Sequence, residues 1–250
     1  MMGVNIRSAL VQQETAHLWD SLQYRQEMHD RLFHSDIYNL AKPHRLTHLV
    51  LHQAKYVSRY HMALKDADAF RKTYSDKSET TTLPEGHITE AVRRLTIDGV
   101  IICLSTLNVC NRKMSDLLDK YMIWDLNECA DQLIVSMGKM AKTVEDIDHM
   151  AQIRPLGTMV ELTKVMTQAY INLWTFSSDR DGVNHLLEAC YHRLNEVERK
   201  HIFADQLQTE MLVSINEHRK RTGHPTVTPS AAYMDIAVWR SGNGGGAVSG

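Results

Sequence analysis

Apolar residues recur along this chain at intervals of three and four, the spacing that gathers side chains on one face of an α-helix. Between residues 4 and 40 they include Leu10, Leu18, Leu22, Tyr24 and Met28, which predicts one or two helices. Lys42-Pro43 closes that segment, because proline disfavours helical geometry at the residue before it. A second helix begins there and carries Leu46, Leu49, Val50, Tyr56, Val57, Tyr60 and Leu64 toward about residue 74. Residues 75–86 are polar and rich in turn formers, so they read as an exposed loop. From about Thr89 a further helix leads into the most apolar stretch of the chain, Val100-Ile101-Ile102-Cys103-Leu104. Apolar residues on every side of a helix predict a central, buried position.

The second half follows the same logic. Asn111-Arg112-Lys113 is a polar break, after which Ser115 and Asp116 can cap a short helix. Residues 127–152 form the next helix, stopped by Arg154-Pro155, and residues 158–176 another that is largely apolar. One long helix is expected over residues 183–220. The tail beyond it holds Pro225, Pro229, an apolar patch ending in Ile236-Ala237-Val238-Trp239, and a glycine-rich end that reads as a linker. The pattern therefore predicts an all-α helical bundle. Its expected parts are an N-terminal helical segment (1–43), two helical units (44–124 and 125–221), and a flexible tail (222–250) whose Ile236 and Trp239 dock on the body or on a partner.

Composition narrows the functional classes. Five prolines and twelve glycines in 250 residues favour long helices. A formal charge of −2 argues against a general nucleic-acid binder. The local exception is the run His218, Arg219, Lys220, Arg221 and His224, which reads either as a helix end complementing the backbone dipole or as a phosphate patch. Cys103, Cys110, Cys129 and Cys190 lie in apolar stretches, as reduced, buried thiols do. With no apolar run approaching the ~18 residues of a membrane span and no signal-peptide pattern at the start, the expected compartment is the cytoplasm. No glycine-rich phosphate loop, dinucleotide fingerprint or nucleophile elbow occurs.

The two halves share an order of features. Lys55 to Asp68 precedes a loop and the apolar helix around Asp98, and Val135 to Asp148 precedes a shorter loop and the apolar helix around Thr167. Gly138-Lys139-Met140-Ala141 with Glu145 and Asp148, and Asp98-Gly99-Val100-Ile101-Ile102 with the later Asn108, are the residues on which the chain resembles the MazG-like all-α nucleoside triphosphate pyrophosphatases. That resemblance implies tandem helical units packed as a pseudo-dimer. It also implies a four-acid cluster, in the pattern E-x-x-E on one helix and E-x-x-D on the next, that holds magnesium against a nucleoside triphosphate. Carboxylates one turn apart share a helix face, and magnesium demands several hard oxygen ligands. The chain departs from the pattern in both halves. Lys55 and Arg59 stand where the first helix should be acidic, Leu95 lies three before Asp98, and Lys164 and Thr167 replace the later pair, while Glu145 and Asp148 remain.

Asp98 interrupts an apolar helix, so its carboxylate needs a partner. Either it is a metal ligand together with Glu90 or Asp68, or it forms a structural ion pair with Lys55, Arg59 or Arg94; the second is the commoner outcome for such a residue. Glu90, Arg94 and Asp98 fall on one face, which favours self-pairing. Lys55, Arg94 and Lys113, with Arg112, are the candidates to meet a triphosphate. His44, His48 and His52 have the spacing of many zinc sites but no nearby acid or cysteine completes a tetrahedral set. No residue is assigned a catalytic role. The expected function is binding or hydrolysis of a nucleoside triphosphate, with magnesium as cofactor if the protein is active. The alternative is a catalytically inactive adaptor for a protein partner, and self-association into a homo-oligomer is compatible with either.

Overall fold

The computed structural model describes residues 3–74, 85–118, 122–149, 154–177 and 182–226. Among them are eight helices and no strand: α1 (Gly3–Phe33), α2 (Ser35–Tyr38), α3 (Lys42–Tyr74), α4 (Glu85–Cys110), α5 (Leu126–His149), α6 (Arg154–Ser177), α7 (Val183–Glu198) and α8 (Ala204–Arg221). The chain is thus an all-α bundle, as its periodicity predicts.

At its centre lies α4, which packs against α3, α6, α1 and α7. Val100, Cys103, Leu104 and Leu107 are sealed from solvent, so the apolar run occupies the position expected of it. Burying each such side chain contributes roughly 1.5–3 kcal/mol. The helix pairs α3–α4 and α5–α6 lie side by side, with α4 on α6 and α3 on α5. Gly99 allows α6 to come this close, because a Cβ there would overlap the ring of Tyr170. The Tyr170 hydroxyl donates to Gln53 Oε1 at 2.8 Å, and Gln53 Nε2 donates to the Gly99 carbonyl at 2.9 Å. One buried amide therefore satisfies polar groups from α4 and α6 and fixes α3 against both.

Pro43 opens a helix as expected, and Pro155, read only as a stop, opens one too. Pro43 and Pro155 sit in the first turns of α3 and α6, where the missing N–H has no intrahelical partner to lose. For that reason α6 starts at Arg154, ahead of the expected 158; α4 also starts early, at Glu85 and not Thr89. The long helix expected over 183–220 is instead two, α7 and α8, separated by a turn at 199–203. Its apolar face lapses there: between Glu198 and Met211 no residue is buried, and Ile202 and Phe203 face outward. Residues 114–118 form a turn, with the N–H groups of Leu117 and Leu118 donating to the Met114 carbonyl, and no capped helix. Ser115 does not cap; its hydroxyl bonds Asp20 of α1 at 2.5 Å.

Candidate functional site

The residue that the sequence isolates, Asp98, points its carboxylate to the edge of the core, where its side chain is 15% exposed. Arg193 Nε of α7 donates to Oδ1 at 2.8 Å, and Arg94 Nε, one turn earlier on α4, approaches Oδ2 at 3.4 Å. Arg193 also donates to Glu196 at 3.1 Å, and Glu196 receives Lys200 at 2.9 Å. Asp98 is thus an ion-pair partner within a small charge network. Of the basic residues considered beforehand, Arg94 is a partner and Lys55 and Arg59 are not. Lys55 lies over the Tyr56 ring at 4.7 Å, and Arg59 is exposed. Arg193 stands 95 residues away from Asp98 in sequence, which is why sequence spacing could not find it.

The other candidate residues are dispersed. Glu90 is exposed on the solvent side of α4. Glu145 is exposed on α5 and pairs with Lys142 at 3.3 Å. Lys113, in the connection that follows α4, pairs with Asp20 at 2.9 Å and not with the Asp98 network. The side chains of Asp68 and Asp148, and all of Ile236 and Trp239, lie outside the described residues. Among the described residues no three His, Cys, Asp or Glu side chains stand where they could hold a metal ion. Both Asp98 oxygens already face guanidinium groups, so the described acids do not fit a resident magnesium ion.

What Asp98 and Arg193 do line is a cleft of about 390 Å³ between α1, α2, α3, α4 and α7. Its imidazole wall comes from the histidine stripe of α3, where His48 and His52 lie with ring centres 4.5 Å apart, and from His34 before α2. His44, the third member of that stripe, is exposed and takes no part. Arg45 lies over the Tyr38 ring at 4.4 Å, and Leu49, Ile101 and Leu194 make an apolar floor. Burial, reinforced by Lys55, His48 and His34, pushes the His52 imidazole down to about 4, so it is neutral at physiological pH. Its Nδ1 is buried without a hydrogen-bond partner. His34 is also lowered, by burial first and then by His29. Asp30, at the α1 side of the cleft, is raised by burial even though Gln26 donates to it at 2.8 Å.

Behind this wall lies a cluster that sequence reasoning missed. Arg25 of α1 grips Glu198 at the end of α7 through two bonds of 2.6 Å, and donates to Asn195 at 3.0 Å. His29 Nδ1 lies 2.8 Å from the same carboxylate. The Arg25 and Glu198 side chains have no exposed surface. Burial opposes the charge on Glu198, but Arg25 and His29 outweigh it and hold the carboxyl below its ordinary range. A signal was present. Arg25 and His29 continue the 18, 22 face of α1, and Glu198 continues the 187, 191, 194 face of α7, so charged residues occupied apolar stripes. These buried pairs fix α1 against α7 and thereby hold His29 at the edge of the cleft. No family model, curated protein or solved structure matches this chain.

Proposed function

We propose that the protein binds a nucleoside triphosphate in the five-helix cleft without hydrolysing it. The observation that supports this reading is the engagement of both Asp98 oxygens by Arg193 and Arg94, which leaves the cleft with arginine and imidazole groups beside Asp30 and Asp36, and with no metal-holding acid cluster among the described residues. The cleft's volume of about 390 Å³ is within the range of small-molecule sites, roughly 300–1,000 Å³. In this reading Arg45, with His34 and His48, meets the phosphates, and the apolar floor of Leu49, Ile101 and Leu194 takes the base. Magnesium accompanies the phosphates of the nucleotide instead of residing on the protein, as it does where one or two carboxylates suffice. Bound phosphate favours protonation of His34, whose imidazole burial and His29 hold below its ordinary 6.5, so binding takes up a proton and tightens as the pH falls toward that lowered value.

Calorimetric titration with each common NTP and dNTP, with and without magnesium, tests the proposal alongside an assay for released pyrophosphate. Saturable binding of at least one nucleotide with no pyrophosphate is the expected result. Arg45→Ala is expected to weaken it about tenfold or more, the effect of losing a charge-assisted hydrogen bond. Release of pyrophosphate would convert the reading to hydrolysis, and absence of any nucleotide binding would sink it. A second reading, an adaptor for a protein partner, draws on the exposed apolar residues Met122, Ile123 and Phe176, of which Ile123 is 91% exposed. For that reading, Ile123→Asp is expected to abolish capture of the partner, and a chain lacking residues 222–250 tests whether the tail contributes.

A further inference from the structure

On the side of α1 turned away from the cleft, a second and more open groove of about 600 Å³ runs between α1, the α4–α5 connection and the C-terminal end of α8. Three separate stretches of sequence bring basic side chains to it. His17 comes from α1, Arg112 and Lys113 from the connection, and His218, Arg219 and His224 from α8 and the turn after it. The basic run near the end of the chain is therefore half of a two-sided arrangement whose other half lies about a hundred residues earlier.

The connection is held firmly in place. Gln23, buried on α1, donates to Asn108 Oδ1 at 2.9 Å and to the Arg112 carbonyl at 2.6 Å, and accepts from the Met114 N–H at 2.8 Å. Asn111 takes the left-handed conformation, φ 54°, that turns the chain at the end of α4. A buried amide with three bonds to one short segment fixes where Arg112 and Lys113 stand, directly across from the basic end of α8. Acids also face the groove, but Asp20 is already engaged at both oxygens, by Lys113 at 2.9 Å and Ser115 at 2.5 Å. Glu27 receives the Tyr38 hydroxyl at 3.4 Å, and Asp116 is exposed. Arg112 has no side-chain partner among the described residues. The His17 and His224 rings stand 4.8 Å apart, and Tyr24 stacks on His218 at 4.0 Å.

We propose that this groove is a second anion site, which takes a phosphate group on Arg112, Lys113 and the imidazoles of His17, His218 and His224. Donors that converge from three directions suit a tetrahedral anion with several acceptor oxygens better than a planar carboxylate, which a single guanidinium satisfies. The state of the histidines agrees. Burial, with His224 and Arg219, holds His17 below its ordinary range, and burial, with Arg221 and Lys113, does the same to His218. Like charges crowded this way are relieved by an anion between them. The phosphate is either that of a small ester or that of a polynucleotide backbone, and the site chemistry is common to both.

Proton NMR of the histidine rings tests the site in the full chain, with sodium pyrophosphate as one probe and a short oligothymidylate as the other. Either probe is expected to raise the apparent pKa values of His17 and His218. Arg112→Ala, a change at an exposed side chain without a side-chain partner among the described residues, is expected to weaken that response about tenfold. Arg45→Ala, which alters the cleft on the other side of α1, is expected to leave it intact. A response to pyrophosphate identifies a small anion as sufficient, and a response to the oligonucleotide alone identifies the backbone. No response of His17 and His218 to either probe, or an undiminished response in Arg112→Ala, overturns the proposal. Failure of Arg45→Ala to affect calorimetric nucleotide binding would bear on the cleft and not on this groove.

Discussion

Arg25 is a guanidinium with no exposed surface whose two terminal nitrogens bond Glu198 and Asn195 in place of water. Removing one member of such a pair strands the other charge, which typically costs about 3–5 kcal/mol, whereas replacing both by apolar residues is often neutral. Arg25→Met is therefore expected to lower stability to urea by that amount. The double variant Arg25→Met/Glu198→Leu is expected to recover much of the loss, less what His29 contributes. His52 gives a different residue-scale prediction. Its imidazole is pushed down to about 4 in the folded chain, against an ordinary value of 6.5. The unfolded chain therefore binds a proton that the folded one refuses between those values, and stability falls as the pH drops from 6.5 to about 4. Melting temperatures recorded across this range are expected to fall less steeply in His52→Gln. At this scale the sequence disclosed Asp98, His48 and His52 as residues in need of an explanation. It did not disclose Arg193 or Glu198, because a partner 95 or 173 residues away is set by packing and leaves no local spacing to read.

The start of α5 carries a local signal that the reading of the sequence, which began this helix at 127, passed over. Asp125 Oδ1 accepts the Glu128 N–H at 2.9 Å, and Glu128 Oε2 accepts the Asp125 N–H at 2.9 Å, a reciprocal pair that satisfies two orphan donors. Asp125→Ala is expected to destabilise the chain by about 1 kcal/mol in urea unfolding. Elements with a continuous apolar stripe, such as α3 and α4, were legible, whereas the break between α7 and α8 was obscured because no glycine or proline marks it. Only the lapse of buried positions after Glu198 records it. Where α4 and α6 meet, spacing alone also falls short. Alanine at a helical glycine ordinarily helps by about 1 kcal/mol, yet at Gly99 the added methyl meets the ring of Tyr170. Gly99→Ala is expected to cost about 1–3 kcal/mol through overpacking, a sign reversal that denaturant unfolding would register. Combining it with Tyr170→Ala would remove the overlap and separate that effect from helix propensity.

At the scale of the whole molecule, periodicity announced an all-α bundle, but the placement of α1 was hidden. That helix packs along α7, α4 and α8, and it contributes side chains to both recesses. Gln26, His29 and Asp30 border one, while His17, Asp20, Tyr24 and Glu27 border the other. At 3.6 residues per turn these two sets project from nearly opposite sides of the rod. A single helix is thus the common wall of two chambers. The Arg25–Glu198 bonds toward α7 and the Gln23 bonds toward residues 108–114 hold that one rod on two sides, so loosening either anchor would distort the outline of both recesses together.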